Sequence, residues 1–262
     1  MEKIKNIKVG KYNFYKITLA SGEVLSVSER VMAAEILYKD KELSAEKIEE
    51  LKAGGSLDWG FELALYYLSF KMRTSKEIAE YLKKHDTKKQ FNEEIISKVI
   101  FKLQEYKYIN DAEYAKMFVN DAINLTTDGR RKIAQKLKQK GITELDVMSA
   151  LDEIDSDDEL FNAKKLAEKL IRKYEKESAR NRIEKTRQSM MTKGYNRDVI
   201  DAAIAAHLPE VDESEELEKI KKLIKKNNKI KDKFKMKTKL FTKGFSTELI
   251  NRAIGESDVT WD

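Results

Sequence analysis

One glycine recurs in three settings that a chance turn does not explain. Leu137-Lys138-Gln139-Lys140-Gly141-Ile142-Thr143, Met190-Met191-Thr192-Lys193-Gly194-Tyr195-Asn196 and Leu240-Phe241-Thr242-Lys243-Gly244-Phe245-Ser246 align on Gly141, Gly194 and Gly244. Each glycine follows a lysine. A large apolar residue comes next, then Thr, Asn or Ser. Ten residues beyond the glycines stand Leu151, Ile204 and Ile254, each preceded by an alanine. A glycine fits the left-handed position that ends a helix, where a Cβ would clash, so all three should have positive φ. The apolar residue after it can fold back on Leu137, Met190 or Leu240. Thr143, Asn196 and Ser246 then take N-cap positions for the next helix. The unit is helix, tight turn, helix, with a longer helix before it.

Composition agrees with a helical array. The chain has 262 residues with one proline and ten glycines, too few turn residues for a sandwich or a loop-rich α/β enzyme. The fold class expected is mainly α: tandem three-helix repeats in an elongated, curved array, preceded by a small N-terminal region with a β-hairpin. That hairpin runs Tyr12 to Leu19, turns at Ala20-Ser21-Gly22-Glu23 and returns along Val24 to Val27. Short helices near 29–39 and 44–52 follow, and Lys52-Ala53-Gly54-Gly55-Ser56 reads as a linker. The expected divisions are 1–55, then repeats at 58–109, 110–156, 157–209 and 210–255. Thr74-Ser75-Lys76-Glu77 and Asn110-Asp111-Ala112-Glu113 are capping boxes. In the first repeat the glycine turn is replaced by a longer one through Lys84 to Gln90. The stripe aromatics Tyr67, Tyr106, Phe118 and Tyr174 read as core, and Phe161, Ala163, Leu166, Ala167, Leu170, Ile171 and Tyr174 mark an amphipathic helix.

Catalytic signatures are absent from the sequence. There is no cysteine, hence no disulfide, thiolate nucleophile or cysteine-ligated metal. No dinucleotide or Walker glycine motif occurs, and His85 and His207 have no ligand-spaced partner. No enzyme, cofactor or metal is expected. No apolar run reaches the roughly 18–20 residues of a membrane span, and the N-terminus lacks a signal-peptide stretch, so a cytoplasmic protein without membrane attachment is expected.

Charge is segregated along the chain. Gly129 to Lys140 carries six basic residues and no acid, whereas Ile142 to Phe161 carries eight acids and no base. Lys164 to Lys193 has 11 bases against 4 acids, and Asp212 to Lys243 has 12 against 6. In the last segment Lys221, Lys222, Lys225, Lys226 and Lys229 share one helical face. Such stripes suit phosphate backbones or an acidic protein groove. Lysine outnumbers arginine, so base-edge readout is not indicated.

Three blocks together resemble the RecX family. They are Ala64-Leu65-Tyr66-Tyr67-Leu68-Ser69-Phe70-Lys71-Met72-Arg73-Thr74-Ser75-Lys76-Glu77-Ile78, then Tyr108-Ile109-Asn110-Asp111-Ala112-Glu113-Tyr114-Ala115-Lys116-Met117-Phe118, then Gly129-Arg130-Arg131-Lys132-Ile133 through to Lys140-Gly141-Ile142. The likeness is closest from about 60 to 155 and looser to 207. Members of that family often have glycine where Lys107 or Tyr108 stands here, and proline where Arg130 stands. The resemblance implies a regulator, not an enzyme, of the RecA recombinase in recombination, DNA repair and the SOS response. Such proteins bind the groove of the RecA–DNA filament and limit its extension, ATP hydrolysis, strand exchange and coprotease activity. Implied partners are the RecA filament and single- or double-stranded DNA, bound weakly without sequence preference; a monomer is expected. The candidate contacts are Arg130, Arg131, Lys132, Lys136 and Lys140, then Arg73 and Lys71. Ile133, Ala134 and Leu137 should be buried, leaving Lys132, Lys136 and Lys140 on an exposed face. The competing reading is a DNA-binding protein of tandem helix-turn-helix-like units, such as a transcriptional regulator.

Overall fold

The computed structural model describes residues 1–10, 14–85, 91–208, 212–257 and 259–261. Tyr12 and Asn13 of the expected hairpin, Asp86 to Gln90 of the expected long turn and Pro209 lie outside them. Contacts group the chain into two compact units, one of 1–115 with 138–146 and one of 116–137 with 147–262.

The first unit opens with a four-stranded antiparallel sheet. Glu2–Val9 (β1), Phe14–Leu19 (β2), Val24–Ser28 (β3) and Glu42–Leu43 (β4) lie in the order β3-β2-β1-β4. The hairpin is therefore two strands of a larger sheet. Its turn ends on Gly22 at φ +91°. Ile4, Ile17, Leu19, Leu25 and Val27 are buried on one face. Glu29–Ala34 (α1) follows, capped by Ser28.

Ala45–Leu68 (α2) is one continuous helix of 24 residues, which corrects the linker reading of 52–56. Gly55 faces the sheet so closely that a Cβ there would lie 2.0 Å from the Ser26 carbonyl oxygen. Glycine marks a close helix–sheet approach here, at a helix-propensity cost of about 1 kcal/mol. One turn on, the buried Asp58 accepts a hydrogen bond from the Ser28 hydroxyl, and Arg30 and Lys102 lie 3.5 and 3.7 Å from it. This single carboxylate joins the sheet, α1 and the first repeat.

That repeat is completed by Ser75–His85 (α3) and Glu93–Glu105 (α4), packed on Ala64, Ile78, Leu82, Phe91, Ile96, Val99, Leu103 and Ile109. α4 ends in a reversed turn with Lys107 at φ +58°, its N–H bonded to Gln104 and that of Tyr108 to Leu103. A left-handed non-glycine residue costs about 1–2 kcal/mol. Lys107→Gly is therefore expected to stabilise the first unit, by about 0.5–1 kcal/mol once glycine's added unfolded-state entropy is subtracted. A lower midpoint of urea unfolding for the variant would contradict it.

The remaining helices are Asp111–Leu125 (α5), Arg130–Gln139 (α6), Glu144–Asp152 (α7), Ser156–Lys173 (α8), Ala179–Thr192 (α9), Arg197–Ala205 (α10), Glu213–Lys226 (α11), Lys233–Thr242 (α12) and Thr247–Gly255 (α13). Among the described residues none is long and apolar enough to cross a membrane. Within the second unit, α8 to α10 enclose Ala163, Leu166, Ala167, Leu170, Met190, Tyr195, Ile200, Ala203 and Ile204. α11 to α13 enclose a separate core around Leu217, Ile220, Ile224, Met236, Leu240 and Phe245.

Gly141, Gly194 and Gly244 stand at φ +84°, +90° and +82°. The N–H groups of Tyr195 and Phe245 reach back to the Met190 and Leu240 carbonyls, and Met190 packs with Tyr195 and Leu240 with Phe245. Thr143 and Ser246 cap the following helices through their hydroxyls, whereas Asn196 occupies the cap position without a side-chain bond. One aromatic assignment needs correction: Tyr106, the residue that caps the end of α4, is more than half exposed. Phe161, at the head of the α8 apolar stripe, is exposed as well.

Candidate functional site

The glycine turns do more than end helices. In three places the first turn of a repeat's middle helix docks onto the lysine–glycine turn of the next repeat. In the first unit the Thr74 hydroxyl accepts from Glu77 N–H at 3.2 Å and donates to the Lys140 carbonyl at 2.8 Å. Glu77 closes the capping box by accepting from Thr74 N–H, and Ser75 N–H donates to Asp111. The second unit repeats the joint twice. Gly129 N–H donates to the Lys193 carbonyl at 2.7 Å and Arg131 N–H to the Gly194 carbonyl at 3.1 Å. The Ser178 hydroxyl donates to the Lys243 carbonyl at 2.7 Å, while Ala179 N–H donates to the buried Glu216 at 3.1 Å. Orphan N–H groups at each helix start thus meet carbonyls and a buried acid from the neighbouring repeat.

These joints absorb much of the basic stripe. Arg130 bonds Glu159 through Nε at 2.6 Å and the Leu151 and Ile154 carbonyls at 2.9 and 2.8 Å. Lys136 pairs with Asp128 at 2.5 Å, and Lys193 with the same carboxylate at 2.9 Å. Lys140 pairs with Glu77 at 2.8 Å and lies over the Tyr114 ring. Ile133 and Leu137 are fully buried and Ala134 only partly. Lys132, Lys136 and Lys140 accordingly do not form one free face: of the three, only Lys132, bonded to Gln135, lacks a carboxylate partner among the described residues. Arg73 is packed too, its guanidinium 4.0 Å from the Tyr67 ring centroid, with Tyr67 stacked on Tyr81. Arg131 and Lys71 are exposed and carry no side-chain ion pair among the described residues. Of the seven candidates, Arg131, Lys132 and Lys71 present their charge to solvent. Farther on, Lys221 pairs with Glu256 at 2.9 Å, Lys222, Lys225 and Lys226 are exposed, and Lys229 is exposed beyond the end of α11 rather than on the same helical face.

Burial pushes the Asp128 carboxyl up, but the hydrogen bonds from Lys136 and Lys193 outweigh it and hold the group below its ordinary value. Glu77 behaves alike: burial raises it, and Lys140 and the Thr74 N–H bring it lower. A depressed folded pKa stabilises the protein above the unfolded value of about 4 and loses that contribution as pH falls through the folded one. Resistance to urea should therefore decline below about pH 4, and Asp128→Asn should flatten part of that decline. An identical profile for wild type and variant would remove Asp128 from the account. Tyr195, buried in the α8–α10 core, has its hydroxyl pushed up to about 12, by burial first and then by the charges of Glu159 and Asp128.

Docked first turns, left-handed glycines and separate cores under the first, α8–α10 and α11–α13 triplets define a tandem three-helix-repeat protein with many exposed cations. Family models described as the first, second and third three-helix domains of RecX match residues 61–103, 110–151 and 157–204. Regulatory protein RecX of Enterococcus faecalis is 35% identical over the whole of both chains. The regulatory protein RecX of Oceanobacillus iheyensis is 32% identical over 98% of each. A crystal structure of regulatory protein RecX shares 33% identity, with a TM-score of 0.65 over 77% of this chain and 98% of that one. RecX from Lactobacillus salivarius shares 34%, with a TM-score of 0.53 over 58% of this chain and 96% of that one. The chain belongs to the RecX family of regulatory proteins. Its α11–α13 triplet follows the last residue that the family models match.

Proposed function

We propose that this protein regulates the RecA recombinase by binding the RecA–DNA filament and limiting its activity, with an auxiliary, sequence-tolerant affinity for DNA. Family membership across the whole chain is the observation that carries this reading. The joints support it physically. Within each unit they tie the start of one helix to backbone carbonyls in the turn of the next repeat, so the cations beside them are presented on rigid supports. Several weak attachments on one chain reinforce one another through effective concentration. Arg131, Lys132 and Lys71 are the binding residues proposed, because their charge is not consumed within the chain.

The test is DNA-dependent ATP hydrolysis by RecA, with this protein well below one copy per RecA. Inhibition is expected. The triple variant K71E/R131E/K132E is expected to need at least about tenfold more protein for the same effect while melting like wild type, since exposed charges contribute under about 1 kcal/mol each to folding. Absence of inhibition at equimolar wild-type protein would defeat the filament reading. Tight, salt-resistant binding to one defined DNA sequence would favour a transcriptional regulator instead.

A further inference from the structure

We propose that the outer face of α12 is a stacking surface for single-stranded nucleic acid. Phe234 and Phe241 are 77% and 59% exposed. They stand seven residues apart, two helical turns, and so point the same way about 10 Å apart along the axis. Lys237 and Thr238 lie between them on that face, with Lys233 and Lys235 to either side. The opposite face supplies the core through Met236 and Leu240. Neither phenylalanine is needed to hold the triplet together.

The charge around these rings has one sign. From Lys222 to Lys243 there are ten lysines and a single acid, Asp232. Asp232 is already committed: it accepts from Lys235 N–H at 3.0 Å as the cap of α12 and lies 3.5 Å from the Lys235 ammonium. Lys239 is drawn inward to Asn227 at 2.6 Å. Lys229 and Lys231, just before α12, are exposed. Beside Phe241 a shallow groove of about 210 Å³ is lined by Lys237, Thr238, Phe241, Thr247 and Ile250.

Each feature selects among polyanions. Lysine ammoniums neutralise phosphates as point charges, without the planar fork that reads base edges. Two exposed rings offer flat apolar faces, which unpaired bases can stack on and a duplex, with its bases already stacked, cannot use. An acidic protein groove would be satisfied by the lysines alone and would leave both rings in water. The proposal gives a location to the nucleic-acid affinity in the functional reading and rests on that part of it, not on RecA.

The experiment uses the full chain and fluorescence anisotropy at low salt, with labelled oligothymidine of about 30 nucleotides and a duplex of equal length. Wild type is expected to prefer the single strand. F234A/F241A is expected to weaken oligothymidine binding at least about tenfold and duplex binding less than threefold, with an unchanged melting curve. K233Q/K235Q/K237Q is expected to weaken both and to lower the slope of log K against log salt by about 0.7 for each phosphate no longer neutralised. Oligothymidine bound equally by wild type and F234A/F241A would overturn the stacking surface while leaving a DNA affinity elsewhere. No binding of either probe by wild type would overturn both this proposal and the auxiliary affinity. Labelled polyglutamate bound by wild type and by F234A/F241A but lost in K233Q/K235Q/K237Q, with oligothymidine unbound, would overturn the stacking surface and assign the face to an acidic protein. RecA inhibition is read separately, so its failure would leave these titrations standing.

Discussion

Gly194→Val is expected to destabilise the second unit by about 2–5 kcal/mol, as a sum of two independent effects. The first is conformational. Gly194 stands at φ +90°, and a β-branched residue held in that region is strained by about 1–2 kcal/mol or more. The second is steric and comes from the neighbouring repeat. A Cβ on Gly194 would lie 2.3 Å from the Lys132 backbone nitrogen and 2.7 Å from the Lys132 Cβ. Gly129 stands as close from the other side: its own Cβ would fall 2.7 Å from the Gly194 carbonyl carbon. Backbone meets backbone at this joint, so no flexible side chain can move aside, and overpacking of this kind costs typically 1–3 kcal/mol. The measurement is urea unfolding followed by helical circular dichroism. A loss below 1 kcal/mol would mean that the α9–α10 turn can shift as a body without disturbing the start of α6, and the joint would then be a loose one.

The glycines were legible in the sequence because what they do is local. A helix stop, a left-handed residue and an apolar residue folding back span six positions, and three copies make the pattern visible. Their second use was not legible. Thr74 meets Lys140, Gly129 meets Lys193 and Ser178 meets Lys243 across some 65 residues, and none of these pairs leaves a mark in composition or periodicity. Likewise the four acids buried among the described residues, Asp58, Asp128, Glu159 and Glu216, look like any others in a chain that is 37% charged. Only the packing partner decides which carboxylate is solvated and which is held. The same limit explains the linker reading of Gly54-Gly55-Ser56. Paired glycines signal a flexible break when nothing is known to approach them, and a close approach when a sheet does. β1 is not legible in the sequence because Lys3, Lys5 and Lys8 interrupt its apolar residues, and a bulge between Ile4 and Asn6 shifts the register that alternation would reveal.

The candidate binding residues divide on that same ground, and Arg130 shows how. Among the cations of the α6 stripe it is the most completely engaged. Its Nε bonds Glu159, which is 5% exposed, and its two terminal nitrogens bond the Leu151 and Ile154 carbonyls within and just beyond the last turn of α7. The fork of a guanidinium bonds one oxygen of a buried carboxylate and two carbonyls at a helix end at once, which a lysine ammonium cannot match in geometry. Arg130→Ala is therefore expected to cost about 3–5 kcal/mol, most of it from the buried Glu159 left uncompensated. R130M/E159M should recover much of that loss, because removing both partners leaves no stranded charge. Arg131→Ala, one residue on and exposed, should change stability by less than about 0.5 kcal/mol. Loss of RecA inhibition in an Arg130 variant would then report a broken joint, whereas the same loss in an Arg131 variant would report a side chain that touches the filament. The outcome that would reverse this assignment is an Arg130→Ala protein that unfolds like wild type and no longer inhibits RecA. Arg130 would in that case face the partner, and Glu159 would have to find its compensation elsewhere.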